Sequence, residues 1–335
     1  MIPTRMRAAI FKSPSAAGKP WLSVEEVPVP QAGPNESLLK VLACGVCRTD
    51  LHIAEGDLPL RQSPIILGHQ IVGEVVSCSA NRFGVGDRVG VSWMGGADGS
   101  CKFCRSDREN LCDNPIFTGY SRNGGYAEYA VARTDFLHQL RRTRSPNVTA
   151  PLLCAGMIGF RSLRVAEVKP GQCVGLFGFG ASARLVMPVL QSWKCEVYVA
   201  TRGERHREEA RDLGAKWVGD AFDQPPRRLD AAVTFAPVGA VVIAALKSLD
   251  KGGIVAINAI HMDQIPAFDY DSLLWEERQI RSVANMTRQD GMDFLRIAEE
   301  IGITPKVKIF RLDEANDAIQ AVKNEDVVGS AVIVP

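Results

Sequence analysis

The chain has 335 residues, 46% hydrophobic and 23% charged, and its 39 Lys+Arg against 38 Asp+Glu leave a net charge of +1. This composition excludes disorder and fibrous repeats, and at about 100–200 residues per domain the length predicts two domains. Charge this evenly balanced creates no overall field for nucleic acid or anionic lipid, so neither is expected as a partner.

The N-terminal run from Met1 to Arg7 has no apolar core of the kind a signal peptide needs. The uncharged stretch between Asp230 and Lys247 contains Pro237 and Gly239. It falls short of the ~20 continuous apolar residues of a membrane span, and reads as a buried strand, a turn and a helix. Nine cysteines without a secretion signal point to a reducing compartment, the cytoplasm, where thiols serve metals or catalysis more than disulfides.

The first third reads as short β runs punctuated by Gly and Pro, at Met6–Phe11, Leu38–Ala43, Ile71–Ser77 and Arg88–Trp93, with no long helical period. From about Pro151 strand and helix alternate. A strand at Gln172–Phe177 leads through a Gly-rich turn into a helix at Ser182–Trp193, in which Pro188 is expected to produce a kink. A strand at Glu196–Ala200, a charged helix at Arg205–Leu213 stopped by Gly214, and a strand at Ala231–Phe235 follow. A helix at Ala240–Leu249 and a strand at Gly253–Ile257 continue the alternation, which predicts an α/β unit with a parallel sheet covered on both faces. The chain closes on an apolar strand, Ser330–Val334.

Gly178-Phe179-Gly180-Ala181-Ser182-Ala183 sits between the predicted strand and helix. In that context G-x-G-x-x-G/A is a dinucleotide fingerprint, because glycines let the backbone approach a pyrophosphate at the helix N-terminus. The second strand ends in Ala200-Thr201-Arg202-Gly203-Glu204-Arg205. Thr201 stands where an acid would hold the ribose hydroxyls of NAD, and guanidinium groups beside it suit a 2′-phosphate. This favours NADP over NAD, against the plainer reading of Arg202 and Arg205 as a solvated loop.

Cys101, Cys104 and Cys112 crowd a Gly-rich segment, 95–112, that cannot bury much surface. Zinc prefers four ligands, and Asp98, three residues before Cys101, supplies an acceptable fourth donor for a structural site. Other Cys and His residues are dispersed: Cys44-Gly45-Val46-Cys47, which equally reads as a redox pair, then His69, then Cys154.

Taken together, Gly45–His52, Gly68–Gly73, the lobe ending in Glu109–Cys112, Gly124–Glu128, Leu152–Gly156 and the Gly178 fingerprint are specific. In these motifs the chain resembles the zinc-dependent alcohol dehydrogenases of the medium-chain dehydrogenase/reductase family over nearly its full length. The likeness is strongest to a bacterial branch akin to cinnamyl alcohol dehydrogenases. The resemblance implies a GroES-like, β-rich catalytic domain at 1–152 carrying the zinc lobe, a Rossmann domain at 153–287 with a doubly wound parallel sheet, and a return to the catalytic domain at 288–335. It implies two Zn²⁺ per chain, the catalytic one held by Cys47, His69 and Cys154. Thr49 then matches the hydroxyl that bonds the substrate alcohol and His52 the residue that passes its proton to solvent. Asp50 matches the carboxylate that orients His69, and Arg288 lies near the family's phosphate-contacting arginine. Trp93 and Leu58 match positions lining the substrate pocket.

The activity so implied is hydride transfer between a primary alcohol, aliphatic or aromatic, and NAD(P), by a homo-oligomer. The rival readings are a zinc-free quinone or enoyl reductase and a non-catalytic zinc module that binds other macromolecules. Two departures stand out: Gln70 follows His69 where the family usually has Glu, and Asp98 replaces the usual first lobe cysteine.

Overall fold

A computed structural model describes residues 2–14, 20–79 and 82–335. The first part of the chain forms β1 (Arg5–Phe11), β2 (Leu22–Pro28), β3 (Glu36–Val46), α1 (Arg48–Glu55), β4 (Ile65–Ile66), β5 (Gln70–Cys78) and β6 (Arg88–Val91). Then come β7 (Met94–Gly96), β8 (Ile116–Phe117), β9 (Tyr129–Arg133), β10 (His138–Gln139) and α2 (Pro146–Thr149). Helix α3 (Ala155–Val165) opens the alternating part: β11 (Cys173–Phe177), α4 (Ala181–Ser192), β12 (Glu196–Ala200), α5 (Glu204–Asp212), β13 (Trp217–Gly219), β14 (Leu229–Thr234), α6 (Gly239–Ser248), β15 (Leu249–Ile257), α7 (Tyr270–Leu273) and β16 (Gln279–Ser282). The chain ends with α8 (Arg288–Glu300), β17 (Val307–Arg311), α9 (Ala315–Lys323) and β18 (Ser330–Val334).

Two compact units result: residues 1–154, 285–292 and 304–335 form one, and 155–284 with 293–303 the other. In the first, β10-β6-β5-β3-β18-β17 lie in order in one sheet, with β9 also paired to β3. Strands β3 and β5 run antiparallel with Gly45 opposite Gln70. That register matters most for function. Cys47 follows the end of β3 and His69 precedes the start of β5, so the pairing brings two residues 22 apart in sequence to one end of the sheet.

The second unit is a six-stranded, all-parallel sheet in the order β13-β12-β11-β14-β15-β16, the doubly wound Rossmann order. Val174, Leu176, Val199, Ala232, Val233 and Val255 are fully buried, as strands covered on both faces require. Helix α4 runs through half-buried Pro188 without ending there, its apolar face of Leu185, Val186, Val189 and Leu190 held in the core.

The helical run Pro146–Val165 is by length and composition apolar enough to cross a membrane, yet 67% of its most apolar window is buried inside the protein. It reads as a core segment, and it carries Cys154.

Among the buried titratable groups of the first unit, His138 stands apart from the cysteine clusters and shows a large pKa shift. His138 on β10 has its Nε2 3.4 Å from Ser92 Oγ. Burial, then the charges of Arg82 and Arg288, pulls its pKa down to about 4. An unfolded histidine titrates near 6.5, so below that pH the unfolded chain takes up a proton that the folded one refuses. The stability this group contributes is present at neutral pH and is lost as pH falls from 6.5 toward 4. Between pH 7 and 4.5 the loss amounts to about 2 kcal/mol. His138→Gln is therefore expected to show a flatter fall of unfolding free energy across that window than the parent. Parallel pH profiles would show that His138 does not contribute.

Candidate metal and dinucleotide sites

The first site is assembled at the N-terminus of α1. Cys47 caps that helix: its Sγ accepts the Thr49 N–H at 3.3 Å, while Asp50 Oδ2 accepts the Cys47 N–H at 2.9 Å. Such reciprocal capping fixes both side chains. Cys47 Sγ lies 3.3 Å from His69 Nε2, and the donor atoms of Cys47, His69 and Cys154 all fall within 4.8 Å of one another. Ligands at about 2.0–2.3 Å from a tetrahedral zinc stand about 3.3–3.8 Å apart; the Cys47–His69 separation matches, and the third donor lies near enough to close on one ion. Cys154 is delivered by a buried single-turn helix, Ala150–Leu153, packed against β3 and β5.

The charges of this cluster fit a cation. A bond from the Cys154 thiol, together with His69, holds Cys47 well below the usual thiol range despite burial. The same contact pushes Cys154 well up, with burial adding to it. For Cys154 to ionise as well beside the Cys47 thiolate, a cation is needed between them. Burial alone would lower His69, but Cys47 and Asp50 outweigh it and raise its pKa. Asp50, fully buried, stands 3.3 Å from His69 Nδ1, within ion-pair range though poorly aligned for a hydrogen bond.

Thr49 is buried on the first turn of α1, and His52 follows three residues later on the same face. Asp57, which the sequence reading missed, lies 2.7 Å from His52 Nδ1. Leu58 follows it, half-buried, its N–H donating to the His52 carbonyl at 3.4 Å. Trp93 stands edge-on to His69 with ring centroids 5.2 Å apart. Gln70 is buried with its carboxamide against Gly45, where any Cβ would come within 2.9 Å of it. Cys44 is wholly buried and its thiol is pushed up by burial, which suits a core residue better than a redox partner.

The second site lies in the 95–112 segment. Asp98, Cys101, Cys104 and Cys112 also present donor atoms within 4.8 Å of one another. Asp98 Oδ1 accepts the Ser100 and Cys101 N–H groups at 2.8 and 2.9 Å, and these bonds hold its carboxyl well below the usual range. Desolvation and then the neighbouring Cys101 and Cys112 push Cys104 up to about 12. A carboxylate and crowded thiols form a donor set that zinc would neutralise.

In the second unit, Gly178 has a φ of 91°, and a Cβ there would stand 3.1 Å from the Ala236 nitrogen. Gly180 caps α4 without a side-chain bond and with open space around it, while Ala183 is buried behind. The first-turn N–H groups of α4 therefore face open space with no side-chain cap. Thr201 is buried at the end of β12, its N–H donating to the Gly219 carbonyl at 3.1 Å. Arg202 and Arg205 are exposed beside it, and the Arg202 guanidinium has no acidic partner among the described residues. Arg207 is committed instead, to Glu204 at 2.9 Å and Asp220 at 2.7 Å. Arg288 belongs to the first unit, where its N–H donates to buried Glu109 at 2.8 Å and its guanidinium covers Phe136.

These sites can be set beside known proteins. The model of the alcohol dehydrogenase GroES-like domain matches residues 33–142. The chain is 44% identical over 312 residues to a probable alcohol dehydrogenase, AdhA, of Mycobacterium tuberculosis, covering 91% of this chain and 90% of that protein. To an alcohol dehydrogenase of Geobacillus stearothermophilus it is 32% identical over 342 residues, 98% of this chain and 99% of the other. The crystal structure of AibC superposes with a TM-score of 0.88 at 26% identity, covering 99% and 96% of the two chains. The chain belongs to the zinc-type alcohol dehydrogenases of the medium-chain dehydrogenase/reductase family.

Proposed function

We propose that this protein interconverts primary alcohols and aldehydes with NADP(H), using one catalytic zinc at Cys47, His69 and Cys154 and one structural zinc at Asp98, Cys101, Cys104 and Cys112. The observation that carries the reading is the convergence of the first three donors at the helix that also bears Thr49 and His52. When bound, zinc supplies Lewis acidity toward a substrate oxygen and the nicotinamide supplies the hydride acceptor.

The chain's own residues handle the proton. Thr49 offers a hydroxyl two residues from Cys47, in the first turn of α1, to accept a hydrogen bond from the substrate alcohol and to pass the proton on. The Asp57 carboxylate selects the His52 tautomer with hydrogen on Nδ1, which leaves Nε2 free to accept that proton. Asp50 anchors the Cys47 backbone and stands against His69, so it orients two ligands at once. Trp93 and Leu58 wall the substrate pocket. Gly178, Gly180 and Ala183 cradle the pyrophosphate, and Thr201, Arg202 and Arg205 receive the 2′-phosphate. Arg288, steadied by Glu109, adds a further phosphate contact. Nine free cysteines suit cytoplasmic residence, and assembly as a homo-oligomer follows the family.

The test is oxidation of a panel of primary alcohols with each nicotinamide, alongside metal analysis. The expected result is turnover that is faster with NADP and two zincs per chain. Reduction of quinones or enones by a protein with no zinc would overturn it.

A further inference from the structure

Trp93 is held from two sides. One face stacks on Phe117 and Tyr120, with centroids 4.9 and 5.6 Å away. Its edge is fixed by a hydrogen bond from Nε1 to Asn285 Oδ1 at 3.0 Å, across 192 residues of sequence. Asn285 spends its other end on the cysteine lobe: Nδ2 donates to the Asn110 carbonyl at 3.0 Å, two residues before Cys112. The polarity admits no alternative. An indole N–H can only donate and a carbonyl can only accept, so the carboxamide must point its oxygen at Trp93 and its nitrogen at Asn110. Asn285 also has a φ of 56°, a left-handed conformation that Asn and Gly tolerate and most residues do not.

From this geometry we infer that Asn285 is a positioning residue for substrate selection: it ties the Trp93 indole to the main chain of the lobe and so sets the width of the pocket beside His69. The inference rests on the reading of Trp93 as a pocket wall. The stack alone leaves the indole free to slide in its plane, and the Asn285 bond removes that freedom. The same lobe segment also holds Arg288 through Glu109.

The experiment compares kcat/KM for naphthalenemethanol with that for ethanol in the parent, Asn285→Gly, Asn285→Asp, Trp93→Ala and the Asn285→Gly/Trp93→Ala double variant. Glycine keeps the left-handed backbone while removing the bridge. Aspartate keeps the shape but cannot donate to the Asn110 carbonyl. Both should raise the bulky-to-small ratio, Asn285→Gly by about five-fold, the worth of one neutral hydrogen bond. Trp93→Ala should raise it further, and adding Asn285→Gly to Trp93→Ala should change it no more. The near-ultraviolet circular dichroism band lost in Trp93→Ala should weaken in Asn285→Gly, a signal that mere loss of stability at 20 °C would not move selectively. A ratio unmoved in Asn285→Gly while Trp93→Ala shifts it overturns the inference and leaves the pocket reading intact. An equal shift in both backgrounds also overturns it, because Asn285 would then act through another group. A ratio unmoved by Trp93→Ala refutes the pocket reading and the inference with it.

Discussion

Cys154→Ser is expected to slow alcohol oxidation by about 100-fold or more, since losing even a residue behind a metal ligand costs about 10–100-fold, and to leave one zinc per chain against the two expected of the parent. The site has three protein donors and no fourth among the described residues, so losing one leaves two. A serine hydroxyl in this position stays protonated at neutral pH and offers no anion to a metal. The thiolate that Cys47 maintains is then too little to hold the ion with His69 alone. The other cluster must answer independently. Asp98→Asn keeps an oxygen for the Ser100 and Cys101 N–H groups but removes the anionic donor. It should release the lobe zinc and lower the melting temperature while the catalytic zinc remains. Asp98→Cys should retain both ions, since four thiolates form a common zinc set. Zinc counted by mass spectrometry under native conditions, with kcat for the same samples, checks both claims. Two zincs in Cys154→Ser with undiminished turnover would move the catalytic site elsewhere.

Regular elements with strong local signals were legible in the sequence. The strand Ser330–Val334 has the predicted ends, and α5 stops just before Gly214, whose φ of 84° suits a helix end. The parallel sheet followed from alternation alone, because strands buried on both faces must be apolar throughout. Helix α1 was not legible: Arg48–Glu55 is short, and its capping residue is a cysteine rather than the usual Ser, Thr, Asp or Asn. Strand β3 extends past the apolar run at Leu38–Ala43 through Gly45, which gains its place from pairing with β5 rather than from propensity. Helix α4 continues through Pro188, since burial of the surrounding face outweighs one missing bond. In the sites, local spacing drew attention to Asp98 and to Gly178. Partners that meet only through tertiary folding gave no signal. Glu109 meets Arg288 over 179 residues and Trp93 meets Asn285 over 192, whereas Asp57, only five residues beyond His52, was missed because it lies past the end of α1.

Arg202→Ala is expected to weaken NADPH binding ten- to roughly hundred-fold while leaving NADH binding nearly unchanged. The reasoning starts from charge. A bond between guanidinium and phosphate contributes about 1.5–3 kcal/mol, and only NADPH carries the 2′-phosphate. Arg202 is the guanidinium available for it, exposed at the end of β12 and without an acidic partner among the described residues. Arg207 serves as the internal control. Because Glu204 and Asp220 already hold it, it has no free face for a phosphate, and Arg207→Ala should act through α5 and weaken both cofactors alike. Thr201 favours the same outcome differently: no carboxylate stands at the end of β12, and the nearby Glu204 is paired with Arg207 and Arg211. Salt gives a second discriminant. An exposed charge pair is screened within about 8–10 Å at physiological ionic strength, so the parent's NADPH advantage should shrink as salt rises, and the variant's should not. Fluorescence titration of both reduced cofactors at two salt concentrations reads all of this directly. Equal weakening of NADH and NADPH in Arg202→Ala would make this arginine a shaper of the loop, and equal kcat/KM for the two cofactors in the parent would remove the preference altogether.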